Sequence, residues 1–164
     1  MQIRAASTAD MAPVTAIYAH YVATSVATFE EDPPPLAFWQ HRLADLGQRN
    51  LPFLVAEDAG DIVGYSFASP WRPRPAYRFT AEDSVYAAPG QEGRGIGSAL
   101  LKPLLDRCAT AGVRQVIAVI ADTGSDASKA LHARFGFTEA GVLTQVGYKH
   151  GRWIDTLLMQ RHLQ

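Results

Sequence analysis

Cysteine is almost missing from this chain. Cys108 is the single one in 164 residues, so no internal disulfide can form, and such thiol poverty suits a reducing cytoplasm. Charge of one sign is missing too. Fifteen Lys and Arg stand against sixteen Asp and Glu, a net charge of −1, which excludes the basic footprint of a nucleic-acid binder and a general attraction to acidic membranes. No apolar run approaches the roughly 18 residues of a spanning helix, and the start, Met1-Gln2-Ile3-Arg4, carries no signal-peptide pattern. Internal repeats and low-complexity tracts are absent. His20, His41, His150 and His162 show no metal-ligand spacing, so no metal is expected. What remains is a globular composition, 48% hydrophobic, long enough to bury a core without staples; residues 1–164 are expected to form one domain.

Glycine, by contrast, is concentrated. Glu92-Gly93-Arg94-Gly95-Ile96-Gly97-Ser98 follows a strand-like run and opens a helix-like one. Glycines at alternate positions strip the Cβ atoms from one side of a loop, so backbone N–H groups can approach an anion in front of a helix N-terminus. A phosphate or pyrophosphate cradle is one reading; a ligand-free glycine turn is the other. Two familiar cradles fail on spacing. A P-loop needs Lys-Ser or Lys-Thr after the glycines, and a dinucleotide fingerprint needs G-x-G-x-x-G, whereas Ser98 and Leu100 stand where the last glycine belongs.

Periodicity orders the rest. A short strand at 2–4 precedes a helix capped at Ser7 or Thr8 and running to about residue 23, with Met11, Val14, Ile17, Tyr18 and Tyr21 on one face. A second helix spans 36–46 and stops at Gly47. Strands at 53–57 and 62–67 make a hairpin. Residues 69–78 hold three prolines, three arginines and two large aromatics, which breaks regular structure. In the strand at 79–87, Arg78, Thr80, Glu82, Ser84 and Tyr86 share one face unless a bulge shifts the alternation; Glu82 and Asp83 are anomalous in so apolar a run. The helix after the glycines carries Ile96, Leu100, Leu101, Leu104, Leu105 and Cys108 on one side, with Pro103 inside it. Residues 115–121 read as a fully buried strand parallel to its neighbour. A short helix closed by Gly136 and a hairpin about His150-Gly151 complete a mixed α/β sheet with helices on both faces.

This order, with the glycine loop and the downstream Leu131-His132-x-x-Phe135-Gly136-Phe137, resembles the GNAT superfamily of acyl-CoA-dependent N-acyltransferases over essentially the whole chain. The resemblance implies an α/β GNAT fold: about seven strands, mostly antiparallel, splayed between the fourth and fifth, flanked by about four helices. Trp71-Arg72, Tyr77, Thr80 to Tyr86, and Gly147 to Asp155 resemble the phosphinothricin and methionine sulfoximine or sulfone acetyltransferase subgroup. That subgroup implies acetyl transfer from acetyl-CoA to the α-amine of a small amino-acid analogue, in a cytoplasmic homodimer. Two residues depart from the pattern: Glu92 replaces the usual Gln or Arg, and Ser125 replaces the usual Asn.

The resemblance also implies roles. Gly93 to Ser98, that is Gly93, Arg94, Gly95, Ile96, Gly97 and Ser98, would bind pyrophosphate, with Glu92 at the edge. Val85, Tyr86 and Ala87 would pair with the pantetheine arm, and Ser125 and Lys129 would contact the cofactor. A bulge in their strand would make the slot, and the Val85 N–H would polarise the thioester carbonyl. Glu82 would be the general base, against the alternative of a rim carboxylate paired with Arg78. His132 would protonate the leaving thiolate, or else is a packing histidine. Arg72 and Arg74, with Ala76, Tyr77 and Arg78, would bind the acceptor's anionic groups, Phe29 would wall its pocket, and Gln145 and Lys149 would reach in from a dimer mate. Two other functions stay open: acetylation of a protein N-terminus or lysine, and a non-catalytic acyl-CoA sensor.

Overall fold

The computed structural model describes all residues from 1 to 164. In chain order it contains β1 (Gln2–Ala5), α1 (Met11–Thr24), α2 (Leu36–Gln48), β2 (Phe53–Asp58), β3 (Asp61–Pro70), β4 (Thr80–Ala87), α3 (Ile96–Thr110), β5 (Gln115–Ala121), α4 (Ala127–Arg134), β6 (Thr138–Lys149) and β7 (Arg152–His162). The strands form one sheet in the order β1-β2-β3-β4-β5-β7-β6, and only the β4–β5 pair is parallel.

Two apolar clusters hold helices to opposite faces. On one, Leu100, Leu101, Leu104, Leu105 and Cys108 of α3 are buried against Leu54, Ala81 and Val116. The stripe was legible from its spacing, and each buried leucine contributes about 2 kcal/mol. On the other, Met11, Val14 and Ile17 of α1 and Trp39 and Leu46 of α2 pack on Phe53, Tyr65 and Phe67. Cys108 is wholly buried and its thiol is pushed up to about 12 by that burial, which makes it a core residue rather than a nucleophile.

Three sequence expectations need correction. Helix α2 does not stop at Gly47; it runs on to Gln48, because Asn50 takes the left-handed position (φ 57°) and the Leu51 N–H closes on the Leu46 carbonyl. Strand β5 is not fully buried: Val119 is 40% exposed, since β5 borders a gap rather than a continuous sheet. And β4 carries no bulge against β3. Its register is unbroken from Gly64↔Ala87 to Pro70↔Ala81. The slot arises otherwise: parallel pairing of β4 with β5 covers only Thr80↔Gln115, Ala81↔Val116 and Glu82↔Ile117, and from there the strands diverge.

Candidate active site

The divergence of β4 and β5 opens a cleft of about 630 Å³. Its walls come from β4, β5, α4, α2 and the 25–35 loop. Hydrogen-bond alternation decides what β4 shows it. Ala88 N–H and Thr80 C=O are both given to the β3 side, so the even-numbered residues of β4 spend their backbone groups there. The N–H groups of Asp83, Val85 and Ala87 therefore point to the other edge, beyond the last β5 pair. The Ala87 carbonyl on that edge already accepts the Tyr21 hydroxyl at 2.7 Å.

Side chains alternate as well. Glu82, Ser84 and Tyr86 face α1 and α2, with Tyr86 packed on the aromatic cluster there; Ala81, Val85 and Ala87 pack towards α3. Glu82 and Asp83, adjacent in sequence, thus serve opposite faces of the sheet. Glu82 is half-buried on the cleft wall, and neither a hydrogen bond nor an ion pair holds its carboxylate. Burial pushes its pKa above the usual carboxylate value and Asp83 adds to the rise, while Arg42 and Arg72 pull the other way. Arg78 is not its partner: that guanidinium stacks over Phe79 at 4.5 Å and donates to the Pro75 carbonyl at 3.1 Å.

Asp83, by contrast, is 7% exposed and committed through one oxygen, while its buried Oδ1 has no partner. Its Oδ2 meets His132 Nε2 at 2.7 Å, while His132 Nδ1 lies 2.8 Å from the Ser128 carbonyl. Both ring nitrogens face acceptors, so the arrangement is satisfied when the imidazole carries two protons and Asp83 none. Burial alone would lower the His132 pKa, but the hydrogen bond and charge of Asp83 outweigh it and the net shift is upward. His132 lines the cleft as expected, yet neither nitrogen is free to turn to a ligand. Asp83 was noticed in the sequence as an anomaly and given no role.

The glycine loop takes the geometry its spacing suggested. Gly93 and Gly95 both have φ of 77°, a conformation costly for any residue with a Cβ. Gly95 is the N-cap of α3, and the first backbone bond of the helix runs from Ala99 N–H to the Gly95 carbonyl. Backbone N–H groups from Glu92 to Ser98 are therefore left without backbone acceptors, in front of a fifteen-residue helix. Gly97 is glycine for another reason: a Cβ there would come within 3.0 Å of Leu131, which packs α4 on α3. Arg94 is tied to Asp58 at 2.8 Å and to Gln91, so its charge is shared with the β2–β3 turn. Ser98 accepts from Arg134 at 3.0 Å, a contact no sequence signal indicated. Glu92 is exposed. Ser125 lines the cleft, with its Oγ accepting the Ala127 N–H at 3.2 Å; Lys129 is paired with Glu139 at 2.6 Å.

The residues expected on the acceptor side are spread over several surfaces. Arg72, Arg74, Ala76, Tyr77 and Arg78 are exposed on the 71–78 loop and none lines the cleft; Arg72 stacks over Trp71 at 5.0 Å. Phe29 does wall the cleft, with the tip of its ring set against Gly147 of β6, where a Cβ would come 2.4 Å from it. Gln145 is exposed in an irregular stretch of β6, at φ 53°. Lys149 cannot reach a dimer mate. It is 3% exposed, and its ammonium donates to the carbonyls of Ser25 (2.7 Å) and Thr28 (2.8 Å) within its own chain. It pins the 25–35 loop, and Phe29 with it, to the hairpin. Arg42 was overlooked: it lines the cleft from α2, although Phe38 and Trp39, four and three residues before it, are the spacing that would flank it.

With this geometry in hand, comparison with known proteins is decisive. The model of the acetyltransferase (GNAT) family matches residues 14–137. This chain belongs to the GNAT family. It is 53% identical to a phosphinothricin N-acetyltransferase of Alcaligenes faecalis over 94% of this chain and 78% of that one. It is 40% identical to an L-methionine sulfoximine/L-methionine sulfone acetyltransferase of Pseudomonas aeruginosa, over 98% and 94% respectively. The crystal structure of a GNAT phosphinothricin acetyltransferase from Sinorhizobium meliloti, in complex with acetyl-CoA, superposes with a TM-score of 0.94 at 45% identity, covering 99% of this chain and 88% of that one. The GNAT fold, with its sheet parted between β4 and β5, is thus the frame that sets Glu82 and His132 on the cleft wall, while the glycine loop follows the end of β4, beyond the residues that line the cleft.

Proposed function

We propose that residues 1–164 act as one acyltransferase domain, which moves an acetyl group from acetyl-CoA directly to the α-amine of a small amino-acid analogue of the phosphinothricin, methionine sulfoximine or methionine sulfone type. The observation that carries this reading is Glu82: an unpaired, half-buried carboxylate on the cleft wall where the β4 edge becomes free. Acetyl-CoA supplies the thioester-activated acetyl group. The loop from Gly93 to Ser98 binds its pyrophosphate through backbone N–H groups, and the free edge of Val85 and Ala87 binds its pantetheine arm.

Glu82 takes a proton from the acceptor's ammonium, directly or through a water, so that the amine nitrogen regains its lone pair. Val85 N–H faces the carbonyl oxygen that gains charge as the N–C bond forms and the C–S bond breaks. His132, held as an imidazolium between Asp83 and Ser128, places a fixed positive charge by the departing sulfur; handing over its own proton requires breaking the Asp83 bond. The homodimer forms through Val142, Val146, Tyr148 and Trp153, apolar side chains at least 55% exposed on the β6–β7 hairpin, and sedimentation will test it. The reducing cytoplasm is the compartment we favour for a protein whose one thiol is buried in the core.

The test is release of CoA from acetyl-CoA against methionine sulfone, methionine sulfoximine, phosphinothricin, ordinary amino acids and peptides. Release with the first group supports the reading. Release with peptides alone would transfer the protein to the protein acetyltransferases, and no release with any acceptor would leave an acyl-CoA sensor.

A further inference from the structure

Arg42 is the one arginine or lysine on the cleft wall. Its guanidinium lies 5.1 Å from the Phe38 ring centroid, 5.0 Å from that of Phe67 and 6.0 Å from that of Trp39, and no carboxylate of the protein pairs with it. The arginines that do form salt bridges in this chain (Arg4, Arg49, Arg94) lie outside the cleft. Aromatic rings on its flanks strip water from the faces of the guanidinium and fix its direction, while the edge, where the N–H forks project, stays available. A half-buried cation without a counter-ion is a costly feature unless a ligand supplies one.

We infer that Arg42 receives the α-carboxylate of the acceptor, an inference that rests on the amino-acid reading given above. The chemistry is constrained by covalent geometry. In an α-amino acid the carboxylate is attached to the same carbon as the amine, so once Glu82 holds the amine, the carboxylate must lie within about 4 Å of it. The anchor must therefore share the cleft with Glu82. Arg42 does, between aromatic rings on the cleft wall; Arg72, whose charge also reaches Glu82, is exposed at the mouth, and Arg74 and Arg78 stand farther out on the same exposed loop. A planar guanidinium matches a carboxylate with two parallel hydrogen bonds, which fixes the rotation of the amino acid as well as its position and so aims the amine at the thioester. The side-chain sulfone or phosphinate is then left to the mouth of the cleft, near the 71–78 loop.

The experiment compares two acceptors in three proteins. Wild type, R42Q and R42K are assayed with methionine sulfone and with the corresponding amine that lacks the carboxylate, 3-(methylsulfonyl)propylamine. The readout is the ratio of kcat/KM for the two, which is internal to each preparation, so an inactive fraction of a poorly folding variant cancels. In R42Q the KM for methionine sulfone is expected to rise at least about tenfold, the preference for the carboxylate-bearing acceptor to collapse by the same factor, and the acetyl-CoA affinity to stay within about twofold. R42K, which keeps the charge without the fork, is expected between the two. An unchanged preference ratio in R42Q overturns the assignment while leaving the amino-acid reading standing. If wild type itself acetylates no amino acid, that reading fails first, and the assignment falls with it.

Discussion

The two halves of the cleft are built from different materials. The half we propose for the donor, the β4 edge with the glycine loop beyond it, is made of backbone: free N–H groups of Val85 and Ala87, and a loop whose conformation is set by Gly93 and Gly95. The half we propose for the acceptor is made of side chains brought from distant points: Glu82 on β4, Arg42 on α2, and Phe29 on a loop pinned by Lys149 of β6. A backbone site needs the right residues missing, which a spacing of glycines records. A side-chain site needs the right residues to converge, and only the fold brings Lys149 to carbonyls more than 120 positions away.

The contrast can be broken most sharply at Glu82, the residue shared by both halves. Glu82→Gln is expected to lower kcat by about 10²- to 10⁴-fold, with acetyl-CoA binding unchanged. Because burial and Asp83 raise the Glu82 pKa, the wild-type rate should climb with pH through a value above the ordinary 4.5 of a glutamate, and the variant should lose that limb. A pH–rate profile that keeps it would remove Glu82 as the base.

Asp83→Asn sharpens the comparison from the next position along the strand. Its main effect is on stability, a loss of about 2 kcal/mol in chemical denaturation at pH 6. The sign follows from the raised His132 pKa. A group held protonated by folding stabilises fully below its ordinary value of 6.5, and that contribution fades as pH rises through the folded value. The penalty of Asp83→Asn should therefore shrink at alkaline pH; a penalty independent of pH would argue against an imidazolium.

Lys149→Met separates the halves. It removes two charge-assisted bonds to the 25–35 loop, and about 1–2 kcal/mol of stability is expected to go with them. The acceptor KM should rise while acetyl-CoA affinity holds, and equal effects on both would show that the halves are coupled. Gly95→Ala is the mirror experiment and the smallest effect. Forcing a Cβ into φ 77° costs about 1 kcal/mol, which should appear as several-fold weaker acetyl-CoA binding in calorimetry, with the acceptor KM unmoved.

Much of the fold was legible before any coordinates. The 3.6-residue stripe of α3 and the alternation of β4 are local periodicities, and both survive in the structure because each element buries the face its pattern presents. The backbone conformation of the glycine loop was legible for the same local reason. The bulge was not, because a slot can be opened either by inserting a residue or by ending a ladder early, and the residues of β4 are compatible with both; here the ladder ends at Glu82↔Ile117.

What the sequence determined by itself was the conformation of the glycine loop and the order of elements, since glycine conformation, helix starts and strand alternation depend on neighbours a few positions apart. The tertiary structure alone decided which charges enter the cleft. Arg42, Arg72, Arg74 and Arg78 have similar chemistry on paper, yet Arg42 is carried inside by a helix packed through Trp39, and the other three remain on an exposed loop. Lys149 offers the same lesson in reverse: a charged residue near a hairpin tip reads as a reaching arm, but burial turned it inward, where two loop carbonyls satisfy its ammonium.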